Sequence, residues 1–328
     1  MSIGIHYKRK KKLRAWHVLV IIITCVVALA VFSPSCTRID LYEPDTGVYL
    51  KLELRLQASV GEEVLDRNVE TVKILFYSPT HVLVAEDYLP ADGGFINVPA
   101  GTYDMVVYSL GTEVTRVDGT DTRAGGYAFT SRTGYKVRLS SETKSIDEFD
   151  VIYEPDPIYV ARLSDVVIPV HSAQDKTIIL EGVLEPLLDT YTFEVKHIEG
   201  AERIQRADVY ITGQAPSKYL WDGRFTNRQC AIFFQGSIDA EKEHLYTVFN
   251  TFGKLADARS DVYLNVQLTD TGGSRYQWVY DVTDQFDNPD NTGHHIVIDD
   301  QIVIPEPGTG GFNPNVHDWD IEIININL

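Results

Sequence analysis

Cys36 is the residue whose surroundings most clearly indicate a chemical modification. Six basic side chains lie within residues 8–14, an apolar run follows over 17–32, and small residues occupy 33–35. A cationic start, a short hydrophobic core and small residues before a cut site are what a signal peptidase reads. We therefore predict that residues 1–35 are a lipoprotein signal peptide and that Cys36 is the lipid-attachment residue.

Two alternatives to a lipoprotein stay open: plain secretion, and an apolar segment retained as a membrane anchor. Ser33 stands three places before the cysteine, where a lipoprotein signal usually has an aliphatic residue. The apolar run is shorter than the roughly 17 to 25 residues that span a bilayer, which disfavours the anchor.

The charge balance restricts the partners. Removing six of the 29 basic residues with the signal leaves 23 against 47 acidic residues, a formal charge near -24. Nucleic acid and anionic lipid surfaces would meet net repulsion, so no nucleic-acid partner is expected.

The cysteines exclude a disulfide framework. Cys25 leaves with the signal and Cys36 carries lipid, so Cys230 has no internal partner. It precedes the apolar residues 231–234, which predicts a small buried core residue rather than a catalytic thiol.

Metal-binding patterns are weak. His294 and His295 are adjacent, and neighbours on a strand point to opposite faces, so both cannot easily bind one metal. The acidic stretch 281–291 has oxygen ligands for calcium but lacks the glycine and glutamate spacing of an EF-hand, so we interpret it as a solvated loop.

Catalytic patterns are equally sparse. No G-x-S-x-G elbow is present, since Ser237 is followed by Ile238, and the glycines of 308–311 are not at a strand-to-helix turn. A glycosidase pair among the many carboxylates stays an open alternative. We expect no catalysis and no cofactor.

The aromatic residues have two interpretations. Eighteen tyrosines, with Trp221, Trp278 and Trp319, could form a sugar-stacking platform, but half-buried strands also prefer aromatic residues. Packing is favoured over a glycan platform.

The elements that must position these residues are strands. Every second residue is aliphatic over 48–56, which only a half-buried strand places on one face. The patterns and the polar turns between them predict an all-β protein of antiparallel β-sandwiches. Strands are predicted at 48–56, 72–77, 82–85, 105–109, 135–139, 177–183, 191–195, 209–211, 231–234, 262–268, 276–282, 295–298 and 319–328.

Residues 245–252 fit a helical stripe as well as a strand, and the β surroundings favour the strand. The order of alternating strand, charged loop and short apolar strand occurs at 48–77 and again from Tyr191, which indicates a duplication. We predict an N-terminal sandwich domain over 36–175 and a C-terminal one over 176–328, with 177–183 as the opening strand of the second.

Several short motifs then resemble a known family. They are Asp40-Leu41-Tyr42, the segments 98–108 and 153–157, and in the second half Asp281-Val282-Thr283, 294–299, Gly310-Gly311-Phe312 and 316–320. Their order and spacing after the lipobox cysteine resemble the fimbrillin-like lipoproteins of Bacteroides and related bacteria, of the pilus-anchor type.

This resemblance implies two tandem transthyretin-like sandwiches in a structural subunit of a surface pilus: an anchor, accessory or tip component. It also implies an outer-membrane location through the lipid on Cys36, and other pilus subunits as partners joined by β-strand addition. The alternative is a surface lipoprotein that binds glycans or host ligands through loops and exposed aromatic residues.

In pilins of this family the first strand can be cut away after a basic residue. The resemblance implies Arg67, in the loop after the first strand, or Arg55, near that strand's end, as possible processing sites. The terminal residues 321–328 could be a donor strand, although a strand that completes its own sheet is favoured.

Overall fold

The computed structural model describes residues 47–54, 69–141, 144–169, 178–255, 261–306 and 319–325, and their side chains over 69–138, 148–169, 178–255 and 261–306. All of these residues belong to one structural unit.

Strands dominate the described residues. In chain order they are β1 Gly47–Leu54, β2 Thr71–Tyr77, β3 Leu83–Pro90, β4 Gly93–Asn97, β5 Gly101–Ser109, β6 Thr115–Asp118, β7 Tyr127–Thr130, β8 Arg132–Ser141, β9 Lys144–Tyr153, β10 Tyr159–Ile168, β11 Ile178–Pro186, β12 Asp189–Glu199, β13 Ile204–Gln214, β14 Ser217–Tyr219, β15 Cys230–Asp239, β16 His244–Thr251, β17 Tyr263–Asp270, β18 Arg275–Asp281, β19 His295–Val303 and β20 Trp319–Asn325. One short helix, α1, covers Thr283–Asp287, and a 3-10 turn covers Ala201–Arg203.

A first group of seven strands, here called the first repeat, forms a sandwich. One layer has the order β4-β1-β11 and the other β3-β2-β5-β10, and among the described strands a short pairing of β10 with β11 joins the two layers. Ile74 and Met105 from the four-stranded layer share a buried core with Ile96 and Leu184 from the three-stranded layer.

A second group of seven strands, the second repeat, has the same architecture. Its layers are β16-β12-β19 and β15-β13-β17-β18, joined where β15 bends to pair with β16. Phe193 and Phe249 from the smaller layer pack in one core with Val209 and Leu264 from the larger.

The two repeats share one connectivity. In each, the first strand (β1 or β12) is the middle of the smaller layer, parallel to the last strand of the repeat (β11 or β19) and antiparallel to β4 or β16. The duplicated order noted in the sequence corresponds to β1–β2 and β12–β13.

The strands outside the repeats connect the two halves. The hairpin β8–β9 comes from the first half, yet β9 pairs in parallel with β15 of the second repeat. β20 adds to β8, and β14 pairs with β7, which pairs with β6. The sheets therefore cross from one half of the chain to the other.

Strand β2 is buried on both faces. Ile74 and Phe76 lie in the core of the first repeat, whereas Leu75 and Tyr77 belong to the large core shared with the second repeat. Because β2 is buried on both faces, its sequence is a continuous run of apolar residues and not a strict alternation.

The all-β class is confirmed, but a purely antiparallel arrangement is wrong. Three pairs are parallel: β1 with β11, β12 with β19, and β9 with β15. Hydrophobic alternation reports which face of a strand is buried and carries no information about its direction.

Most predicted strands are found within a few residues, and residues 245–251 lie in a strand, β16, as favoured. The strand predicted at 177–183 is present as β11, but it closes the first repeat and does not open the second. That each half folds as a domain, with a boundary at 175/176, stays a prediction.

Six strands were missed: β4, β6, β7, β9, β10 and β14. Gly93 and Gly94 indicate a turn in the sequence, yet they begin β4. The bulge of β10 between Leu163 and Val166 breaks its alternation.

Candidate functional site

The position of β1 is distinctive because this strand is paired on both sides. Residues 48–54 pair in parallel with 178–184, while residues 47–51 pair with 93–97 on the other side. Both backbone edges of β1 are therefore used, and without this strand two unpaired edges would face each other across a slot one strand wide.

The neighbours of β1 explain why an apolar strand fits there. Its register partners include Leu180 and Leu184 on β11 and Ile96 on β4, which all belong to or pack against the core of the first repeat. The alternation of apolar residues in the sequence over 48–56 suits a position beside these core residues.

The outer edges of the two larger layers differ. The edge of β15 is covered by β9 at Cys230–Phe233. The edge of β3, its counterpart, meets residues 121–122 only at its start, where Val82 bridges Thr122 and the Leu83 N–H donates to the Asp121 carbonyl at 2.9 Å. Further along, the described part of β3 carries Glu86, Asp87 and Pro90. Charges and proline are the usual protection of an edge against unwanted strand pairing.

Residues 217–221, which include β14 and are here called the clasp, contact the first half of the chain. The Arg162 Nε donates to the Leu220 carbonyl at 2.5 Å, and the Leu220 N–H donates to the Gly126 carbonyl at 2.9 Å. The Arg123 guanidinium lies 4.3 Å from the Trp221 ring, a cation–π contact. These contacts join residues of the first half of the chain to Leu220 and Trp221 of the second half.

Loss of hydration shifts the pKa of two cationic side chains at this clasp. Desolvation lowers the pKa of Lys218 and of Arg162, against the opposing effect of nearby carboxylates. Asp189 lies 3.9 Å from the Lys218 Nζ and offsets part of that cost.

The three sequence-predicted site residues, Cys36, Arg55 and Arg67, lie outside the described residues. β20 pairs with β8 of the same chain, which is the arrangement favoured over a donor strand.

Cys230 is a buried core residue, as predicted. It is 1% exposed, and burial raises the pKa of its thiol, which keeps it in the neutral, unreactive form.

The two adjacent histidines have separate surroundings. The His294 ring stacks on Tyr191 at 4.6 Å, whereas the His295 Nε2 lies 3.4 Å from a Glu194 carboxylate oxygen. Across the part of the chain that is described, no three metal-ligating side chains come together.

The acidic stretch 281–291 contains α1 and is tied back by Asn291. The Asn291 amide donates to the carbonyls of Gln285 and His295 at 2.9 and 3.1 Å. These contacts are internal and structural.

The tryptophans do not form a platform among the described side chains. Trp278 is buried in the core of the second repeat. Trp221 packs against that core, with Arg123 over its ring. Aromatic residues do gather on the outer face of the sheet around β13, where Tyr153, Phe233 and Tyr210 are neighbours. Sequence reasoning missed this group because the three residues come from strands far apart in the chain.

Within the described residues, no helix combines the length and the apolar character needed to cross a membrane.

The fold is that of an all-β protein with two repeated sandwiches, whose first strand is paired on both sides. The chain belongs to the family described as "Domain of unknown function (DUF5119)", whose pattern matches residues 58–235.

Among curated proteins, the chain is similar to the "Putative fimbrium anchoring subunit Fim4B" of Bacteroides ovatus, with 22% identity over 88% of this chain and 92% of the relative. Among solved structures it is similar to a protein described as a "putative adhesin" from Bacteroides ovatus, with a TM-score of 0.57, 21% identity, and coverage of 80% and 94%. The fimbrial anchor protein Mfa2 from Porphyromonas gingivalis matches with a TM-score of 0.48 and 14% identity, covering 85% and 97%. The resemblance to fimbrillin-like proteins is confirmed.

Proposed function

We propose that this protein is a structural, non-catalytic subunit of a fimbria-like surface filament, lipid-anchored to the outer membrane through Cys36. The proposal includes tandem transthyretin-like sandwiches as its architecture and an anchor or accessory role as its task. The similarity to a fimbrium anchoring subunit over most of both chains supports it.

The observation that carries the assembly mechanism is the place of β1 between β11 and β4. A partner's strand that took this place would gain backbone hydrogen bonds on both sides and cover the core through alternate side chains. In this proposal β1 leaves the slot, or is cut away after Arg55 or Arg67, and the partner's strand replaces it.

Cleavage distinguishes two roles. Both arginines lie between β1 and β2 in the sequence, so a cut at either would separate β1 from the rest of the chain. An uncut chain keeps both its lipid and its first strand, which suits an anchor at the base of the filament.

A disulfide staple tests strand replacement. Lys51 and Glu181 are register partners on β1 and β11, so the double variant Lys51→Cys with Glu181→Cys can link the two strands. In the native host, the oxidised double variant is expected to lose filament incorporation, measured in sheared surface fractions. Each single variant serves as the matched control.

Reduction of the staple should restore incorporation. Normal incorporation of the oxidised double variant would contradict strand replacement at β1. Mass spectrometry of the mature N-terminus separates the roles: a lipidated Cys36 supports the anchor, a start after Arg55 or Arg67 indicates a processed subunit, and a retained Met1 contradicts both.

The second candidate function is ligand binding at the cell surface. It is favoured by the aromatic group around Tyr153 and Phe233, which lies away from β1 on the sheet of the second repeat.

A further inference from the structure

The outer face of the sheet around β13 forms a trough of about 1250 Å³. Its walls come from β8, β9, β13, β15, β17 and β18, and it lies on the face opposite the core of the second repeat. The register of these strands sorts its side chains into three parallel rows.

The first row is aromatic. Tyr153, Phe233 and Tyr210 are direct cross-strand neighbours on β9, β15 and β13. Their ring centroids are 6.5 Å apart for Tyr153 and Phe233, and 5.2 Å apart for Phe233 and Tyr210. Tyr153 is 42% exposed and Phe233 is partly exposed, so ring surface is open to a ligand.

The second row lies two residues further along each strand, about 7 Å away. Asp208 on β13 pairs with Gln235 on one side and Gln267 on the other, and Gln267 pairs with Gln277. Three amide side chains and one carboxylate thus stand in line, offering both donors and acceptors.

The third row carries positive charge. Arg206 on β13 pairs with Thr269 on β17, which pairs with Arg275 on β18. The Arg206 Nε lies 2.7 Å from an Asp208 carboxylate oxygen, whereas Arg275 forms no ion pair among the described residues. In a chain with a formal charge of -18, two guanidinium groups and one carboxylate make this trough locally positive.

The central strands have no free backbone for a peptide. β13 is paired with β15 and β17, β15 also pairs with β9, and β17 with β18. An extended peptide binds a sheet by adding to an edge, and this site is a sheet face. Ring surfaces beside amides suit sugar rings and hydroxyl groups.

We propose that this trough binds an acidic oligosaccharide. Sugar rings stack on Tyr153 and Phe233, which the buried Tyr210 supports from the side. Hydroxyl groups bond to the amides of the second row, and a sugar carboxylate pairs with Arg275. The site is separate from the β1 position and does not depend on filament assembly.

Calorimetric titration of the purified full-length chain tests the proposal with three acidic probes: tetragalacturonate, a hyaluronan tetrasaccharide and 3′-sialyllactose. At least one is expected to bind, and cellotetraose, an uncharged tetrasaccharide, is expected to bind at least tenfold more weakly. Arg275→Gln and Tyr153→Ala should each weaken binding of the acidic sugar about tenfold, because they remove a charge-assisted hydrogen bond and a stacking surface.

Tyr88→Ala is the matched control, since Tyr88 is 54% exposed but lies on β3, outside the trough. Its affinity should equal that of the unaltered chain. Arg275→Gln changes an exposed side chain, so its fold should persist, as circular dichroism can verify. The proposal is overturned if no acidic probe binds, if cellotetraose binds equally well, or if the two trough variants bind like the control. Equal binding of oligoglutamate with the same sensitivity to both variants would also overturn it in favour of a peptide.

Discussion

Asp104 organises a local network at the level of single residues. One of its carboxylate oxygens accepts the Asp165 N–H at 3.1 Å, and the other pairs with Arg123. Asp165 has a φ of 54° within the bulge of β10, a left-handed conformation that a non-glycine residue adopts at some cost. The hydrogen bond that the Asp165 N–H donates to Asp104 therefore stabilises the bulge.

Asp104→Ala is expected to lower the free energy of unfolding by about 2 kcal/mol, because it leaves a partly buried N–H and a partly buried guanidinium without their acceptor. Denaturant unfolding followed by circular dichroism measures this loss. The control variant Asp92→Ala, at an exposed residue, should change the free energy of unfolding by less than about 0.5 kcal/mol. Equal effects of the two variants would show that the network contributes nothing.

Cys230 gives a prediction about pH. Because burial raises the pKa of its thiol, the folded protein holds it neutral where an ordinary thiol, with a pKa of about 8.5, becomes a thiolate. Iodoacetamide at pH 9 should leave Cys230 unmodified in the native chain and modify it in urea, as peptide mapping by mass spectrometry would show.

The sign of the linked stability follows from the same shift. A raised folded-state pKa means that the unfolded thiol ionises first as the pH rises. The contribution of Cys230 to stability is therefore complete below about pH 8.5 and declines above it. Rapid native labelling at pH 9 would contradict the burial of this residue.

At the scale of elements, the clasp around β14 determines how firmly the two repeats hold each other. Trp221 packs against the large core and stacks under Arg123. Trp221→Ala is expected to cost about 3 kcal/mol, through lost burial and a lost cation–π contact. Val84→Ala, at a residue 53% exposed on β3, is the control for a surface change.

Hydrogen exchange measured by mass spectrometry would locate the effect of Trp221→Ala. Faster exchange should concentrate in β7 and β14, whose pairing depends on the clasp. Uniform acceleration across both repeats, or none, would contradict a local role for this element.

At the scale of the whole molecule, the two repeats share structure and are not independent. β9 covers β15, and Leu75, Val106 and Ala128 from the first half lie in the same core as the second repeat. A fragment of residues 189–328 would expose this apolar surface together with the bare edge of β15.

We therefore expect fragment 189–328 to aggregate, whereas a chain of residues 36–328 elutes as a folded species in size-exclusion chromatography. A monomeric fragment with a cooperative thermal transition would show that the C-terminal half folds alone, as the predicted boundary at 175/176 implies.

Much of the fold could be predicted from local pattern. Alternation over 48–56 and in 191–195 predicts strands because a half-buried strand must place every second residue on one face, and both strands are present. The burial of Cys230 also follows from its apolar neighbours.

The tertiary structure alone decided which strands meet and in which direction. Nothing in the sequence near Tyr153 indicates that β9 crosses to the second repeat and lies parallel to β15, because strand pairing depends on chain reversals far from the paired residues. The same reason applies to the trough: Tyr153, Phe233 and Arg275 form rows only through the register of separate strands.

The sequence by itself determined the type of element, the acidic surface and the predicted lipid tether, since these depend on residues close together in the chain. The slot of β1 and the rows of the trough depend on contacts between distant residues, which only the folded chain defines.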